Sequence, residues 1–182
     1  EESRIVATIL KVAKLEGANL AEGLAEDIAH VANGNLRRGI FTTELLARRG
    51  MTEERNRLYD VVTASTLQHA RRMIDLALRG RVIEWKWEKQ GSRNVKSLEG
   101  AMGQLDEIMT AHALDAEDVV HQIHMELVGN RLMLPDQLRT EMLDSLAECD
   151  IALRRTIHPR IQIEHFLHQV SIAGQRHGLS IQ

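Results

Sequence analysis

Apolar side chains return every three or four residues along most of this chain, and that spacing commits it to helices. Ile5, Ile9 and Val12 repeat this way up to Gly17, which suits a C-terminal cap. Leu20, Leu24, Ile28 and Val31 share one face of a second predicted helix, from about Asn19 to Asn33-Gly34. Asn35 is a good N-cap for a third, which carries Leu36, Ile40 and Leu45 until Arg48-Arg49-Gly50 closes it. Thr52-Glu53-Glu54 opens a short fourth helix, and Ser65 with Gln68 reads as a capping box for a fifth. In that fifth helix Leu67, Met73, Ile74 and Leu78 face inward up to Gly80, so five short helices make one small bundle.

After Gly80 the period breaks. Val82-Ile83-Glu84-Trp85-Lys86-Trp87 followed by Gln90-Gly91-Ser92 reads as a connector, and a second helical set begins beyond it. Leu98, Met102, Leu105 and Met109 form one stripe, and Asp115 caps a helix carrying Val119, Ile123 and Leu127. Leu138, Met142, Leu146 and Leu153 follow Pro135, while Pro159 suits the first turn of a last helix with Ile161, Ile163, Phe166 and Val170. Composition agrees: 3% of residues are aromatic and there are two prolines, which leaves few strand formers and few helix breakers. The expected fold is all-α, in two helical bundles.

A formal net charge of −3 gives no general attraction to nucleic acid, so any DNA contact must be local. The single cysteine, Cys149, rules out an intramolecular disulfide framework and reads as a small buried thiol on a helix face. No apolar run approaches membrane-spanning length, so no membrane partner is expected. The start, Glu1-Glu2-Ser3-Arg4, has neither a basic signal flank nor an initiator methionine, and the chain reads as the C-terminal part of something longer. No glycine-rich phosphate loop and no serine or cysteine triad pattern is present, so no catalytic residue is assigned. His121 and His124 with Glu126, and His165 with His168, lack the spacing that sets two imidazoles around zinc. They are read as surface or core histidines, and no metal site is expected.

Two segments could meet phosphate. Gly34-Asn35-Leu36-Arg37-Arg38-Gly39-Ile40 places two arginines in the first turn of a predicted helix, where free N–H groups and the helix dipole favour an anion. The plain alternative is a solvated helix start. From Arg79 to Lys96 there are six basic residues against two acidic ones, and Trp85 and Trp87 could stack on bases. The plainer expectation is that these tryptophans anchor two domains together.

The order of the pieces resembles a known family. Glu1 to Leu46, with Leu15-Glu16-Gly17 and the run from Ile28 through Asn33-Gly34-Asn35-Leu36-Arg37-Arg38 to Ile40, looks like the helical lid of a replication factor C small subunit, a clamp-loader AAA+ ATPase. The second half resembles that family's collar, through Leu114 to His124, Leu134-Pro135 and Leu146-Ala147-Glu148-Cys149-Asp150. The most telling piece is His158-Pro159-Arg160-Ile161-Gln162-Ile163-Glu164, similar to the family's Asn-Pro-Arg-hydrophobic-Gln-Leu-Glu signature. The resemblance implies a lid over residues 1–80, a connector over 81–96 and an oligomerising collar over 97–182. It implies that Arg37 is the sensor 2 arginine, reaching the γ-phosphate of ATP held with Mg by the core domain of the full-length parent, while Arg38 pairs at the surface. No cofactor is then expected in this piece, which by itself would not hydrolyse ATP.

The same resemblance implies a five-subunit ring that uses ATP to load a sliding clamp onto primer-template DNA. Other replication factor C subunits would be met through the collar, and clamp and DNA through the core. The expected compartment is the archaeal cytoplasm, at the nucleoid, or the nucleus of a eukaryote. The chain departs from the family where aspartate is usual at Asn35 and alanine at Gly39, and its Trp85-Lys86-Trp87 connector is longer. Two rivals stand beside this reading. One is a helix-turn-helix-like DNA-binding module using Arg37, Arg38, Arg48 and Arg49; the other is an unrelated helical interaction scaffold.

Overall fold

Eight α-helices and a two-stranded antiparallel hairpin make up the described part of the computed structural model, residues 2–32, 34–91, 93–129 and 131–179. The fold is predominantly helical, as the spacing of apolar residues predicts. The chain divides into two units, Glu1–Thr66 with Thr110–Ala113, and Leu67–Met109 with Leu114–Gln182.

In the first unit, α1 (Glu2–Leu15), α2 (Leu24–Ala32) and α3 (Leu36–Arg49) precede a single 3-10 turn (Arg55–Arg57) and the first part of α4 (Leu58–Leu78). Ile5, Ile9, Leu24, Ile28, Leu46, Leu58 and Val61 form its core. Helix α3 buries Gly39, Thr42, Thr43 and Leu46, whereas Leu36 is exposed and Ile40 and Leu45 are half-buried. The inward face is thus set by small residues. A Cβ at Gly39 would lie 3.4 Å from both Ile5 Cγ2 and Ile9 Cδ1, an ordinary van der Waals distance, so α1 packs against α3 here. Thr43 Oγ1 donates to the Gly39 carbonyl at 2.8 Å, which allows its hydroxyl to be buried. Arg55 forks onto Asp27, with Nε to Oδ2 at 2.7 Å and Nη2 to Oδ1 at 2.9 Å, and ties the 3-10 turn to α2. That hydrogen-bonded guanidinium holds the Asp27 carboxyl below its ordinary range.

The second unit carries the rest of α4, strands β1 (Glu84–Gln90) and β2 (Arg93–Glu99), and helices α5 (Gly100–Thr110), α6 (Ala116–Val128), α7 (Asp136–Leu153) and α8 (Pro159–Arg176). Met73, Ile74, Leu105, Ile108, Ile123, Leu127 and Phe166 are fully buried in its core. Asp115 caps α6 by accepting from the Asp118 N–H at 2.9 Å, and Pro159 opens α8 at its first turn. Arg139 of α7 donates to the carbonyls of Leu127 at 2.6 Å and Gly129 at 3.1 Å, satisfying acceptors that the end of α6 leaves open.

Several expectations are corrected. The fourth and fifth helices are one helix, α4, and Ser65 lies buried inside it rather than capping a start. Chain continuity decides this, because a serine before a glutamine has cap chemistry only where the preceding residues leave the helix. Helix α2 begins at Leu24, not near Asn19, and its expected end at Asn33 lies outside the described residues. By packing, the two units part inside α4, between Thr66 and Leu67. Most of residues 84–99, read as a connector and the start of a helical stripe, form the hairpin, in register Trp85↔Leu98 and Trp87↔Lys96. Ser92, expected in its turn, lies outside the described residues.

Candidate functional site

Helix α3 begins as the sequence predicts. Asn35 caps it, its side-chain oxygen accepting from the Arg38 N–H at 3.2 Å, while its amide donates to the Ala113 carbonyl at 3.3 Å. An aspartate could make the first bond but not the second, a physical reason for asparagine at this position. Arg37 is exposed and makes no ion pair or side-chain hydrogen bond among the described residues. Arg38, one position further round, is half-buried. The two arginines therefore differ as a helix turn requires: one guanidinium is free in solvent and the other is drawn onto the fold.

The histidines do not converge. His121, His124, His165 and His168 are exposed, and Glu126 turns the other way, 3% exposed and paired with Arg71 of α4. Among the described residues no group of three or more metal-binding side chains gathers. Glu117, His121, His124 and Asp150 do line an open groove between α6 and α7, floored by Val120, Leu143, Leu146 and Ala147. Cys149 is buried as expected, and desolvation with the Asp150 charge pushes its thiol up to about 11. Such a thiol stays protonated at neutral pH and is no nucleophile.

What spacing alone does not single out is a group of exposed isoleucines where α7 turns into α8. Ile151, Ile157 and Ile161 are 56%, 87% and 54% exposed. Ile151 and Ala152 also line a shallow groove with Arg155, Thr156 and Gln162. The tryptophans are the second surprise: Trp85 and Trp87 are 54% and 66% exposed, so they do not serve as buried anchors.

Residues 91–169 match the family model for the replication factor C C-terminal domain. This segment is a replication factor C C-terminal domain. The likeness extends beyond it. Over 173 residues the chain is 22% identical to the replication factor C small subunit of Sulfolobus acidocaldarius, covering 95% of this chain and 48% of that protein. It is 27% identical over 168 residues to that of Methanothermobacter thermautotrophicus, covering 90% and 47%. For the Methanopyrus kandleri protein the figures are 24% over 176 residues, 97% and 25%. The chain thus spans about half the length of two of these relatives and a quarter of the third. No helix among the described residues is long and apolar enough to cross a membrane.

Within the replication factor C domain, the signature from His158 to Glu164 resolves into separate jobs. Pro159 starts α8, and Ile163 is fully buried. Arg160 joins Asp106 of α5 through Nη1 and Glu164 of its own helix through Nε at 2.7 Å. Ile161 is left at the surface. Most of the motif therefore braces the domain and presents one apolar side chain outward. The sequence hint available beforehand was the pairing of Ile161 with Ile163 at a spacing that cannot put both on one helix face.

Proposed function

We propose that this chain supplies the lid and collar of a clamp-loader small subunit, supporting ATP-dependent loading of a sliding clamp onto primer-template DNA. In this reading residues 1–80 are the lid, 81–96 the connector and 97–182 the collar, which joins other replication factor C subunits into a ring. The observation that carries it is the exposed group Ile151, Ile157 and Ile161, lying in and beside the signature of the family domain. Three exposed isoleucines between the last turn of α7 and the first turn of α8 offer apolar surface suited to a neighbouring subunit.

Light scattering on the chain, alone and mixed with loader small subunits, is the test. Association is expected at high concentration, and Ile157→Asp should weaken it about thirtyfold or more while leaving helicity intact. A strict monomer under both conditions rejects the collar role.

ATP with Mg would be bound by a protein of the relatives' full length, and there Arg37 fits one contact. It sits in the first turn of α3, exposed and without a partner among the described residues, so it can reach an anionic phosphate without first breaking an ion pair. Bound ATP supplies the energy of loading, and Arg37 senses it. Removing a hydrogen bond to a charged group costs on the order of 1.5–3 kcal/mol. Arg37→Ala in such a protein is therefore expected to slow ATP-driven loading about tenfold or more, with assembly unchanged. Arg48→Ala, at the far end of α3, is the control. Equal loading rates for the two variants would remove Arg37 from the nucleotide site.

A further inference from the structure

We propose that one face of the β1–β2 hairpin is a docking surface for single-stranded nucleic acid, whose bases stack on Trp85 and Trp87 and whose phosphates meet Lys89 and Lys96. The register decides which residues share a face. Directly paired residues lie on the same side of an antiparallel ribbon, so Trp85, Leu98, Trp87, Lys96, Lys89 and Asn94 form one side. Glu84, Glu88 and Glu99 all fall on the other, where each already faces a cation. Glu84 takes Arg81 at 2.7 Å, and Lys86 sits 2.9 Å from Glu88 and 3.6 Å from Glu99. The tryptophan face is thereby left with two lysines and no carboxylate.

Two large rings and two cations on an acid-free surface match a phosphodiester strand in both its parts. The Lys96 ammonium lies 4.2 Å from the Trp85 ring centroid and 5.8 Å from that of Trp87, which holds a positive charge between the rings. Trp85 and Trp87 are two residues apart on one strand, about 6.6–6.8 Å along it. That is about twice the 3.4 Å rise per nucleotide of one strand in a duplex, so the rings suit bases spread apart in a single strand.

The platform is also fixed at its root. The Ala101 N–H donates to the Arg81 carbonyl at 2.9 Å and the Met102 N–H to the Val82 carbonyl at 3.0 Å. Gly100, with φ of +75°, brings the chain so near that a Cβ there would meet the Arg81 oxygen at 2.6 Å. The one aliphatic side chain on this face, Leu98, is half-buried against the core, so what the face exposes is aromatic and cationic. The surface adds to the collar role and does not depend on it.

The chain's two tryptophans both lie in the hairpin, so tryptophan fluorescence, excited where its one tyrosine does not absorb, reports on this surface alone. Titrating the whole chain with a short single-stranded oligothymidylate is expected to quench that emission, and a duplex of equal length to do so less. Trp87→Ala should weaken binding about 5- to 140-fold, with Trp85 still reporting. Lys96→Ala should lower the slope of log affinity against log salt by about 0.7, the share of one phosphate contact on a single strand. Lys86→Ala, on the opposite face, should leave affinity unchanged. Both tryptophans and Lys86 are exposed, so these variants are expected to keep wild-type circular dichroism. The proposal is overturned by any of four results: no quenching by the oligonucleotide, equal or stronger quenching by the duplex, a blue shift with phosphatidylserine vesicles or rising protein concentration in its place, or equal losses in Trp87→Ala and Lys86→Ala.

Discussion

Replacing Arg71 with alanine is expected to destabilise the protein by about 3 kcal/mol, measured as a fall in the urea midpoint at constant slope. The cause is what the substitution leaves behind. Glu126 of α6 is 3% exposed, and both its oxygens are taken by the Arg71 fork, Nε at 2.7 Å and Nη2 at 3.0 Å. Ile123 and Leu127 beside it belong to the core. Without the guanidinium a carboxylate stays among apolar groups unpaired, and that penalty exceeds the net worth of the pair itself. Arg71 is about one-third exposed, so water can enter from its side, which sets the value at the lower end of the range for broken buried pairs. The double variant Arg71→Ala with Glu126→Leu should recover most of the loss, since it removes the stranded charge too. A single variant within 0.5 kcal/mol of the wild type, the range of ordinary surface changes, would show that the pair does not organise α4 against α6.

Gly174→Ala sets two effects of known size against each other. Alanine is a better helix former than glycine by about 0.8–1.0 kcal/mol, which favours the substitution inside α8. Against it, a Cβ at Gly174 would land on the carbonyl oxygen of Leu78, with the Leu78 carbonyl carbon at 2.8 Å and Cα at 2.9 Å. These are backbone atoms at the end of α4, so no rotamer change relieves the contact. Overpacking a rigid site costs about 1–3 kcal/mol and at times more, so the steric term wins and melting temperature is expected to fall by several degrees. Gly39→Ala is the same exchange in α3, where the new methyl would meet only side-chain atoms at 3.4 Å or beyond. It is expected to be neutral or stabilising by up to about 1 kcal/mol. If both variants raised stability, helix propensity and not the α4–α8 approach would govern these positions.

Where the sequence carried a local signal, the element appeared. Asn35 and Asp115 cap α3 and α6, Gly50 closes α3 in the left-handed region, and Pro159 begins α8. Leu138, Met142, Leu146 and Leu153 all face the core from α7. Such features rest on atoms a few residues apart, so spacing and residue type suffice to read them.

The misses involve partners distant in the chain. Nothing near Ser65 says that Val61 and Val62 already belong to its helix, and nothing within α3 says that Gly39 will meet Ile5 and Ile9. The hairpin is the plainest case. Alternation from Glu84 to Glu99 is imperfect, and only the pairing of Trp87 with Lys96 and Trp85 with Leu98 separates its charges by face.

Chain order, helical class and the caps that start and stop the helices were thus determined by the sequence alone, because each depends on backbone groups within one or two turns. Tertiary packing decided which arginine stays free, which glutamate is buried, and which isoleucines and tryptophans remain uncovered. Burial depends on the surfaces that other elements present, and those surfaces exist only once the chain has folded.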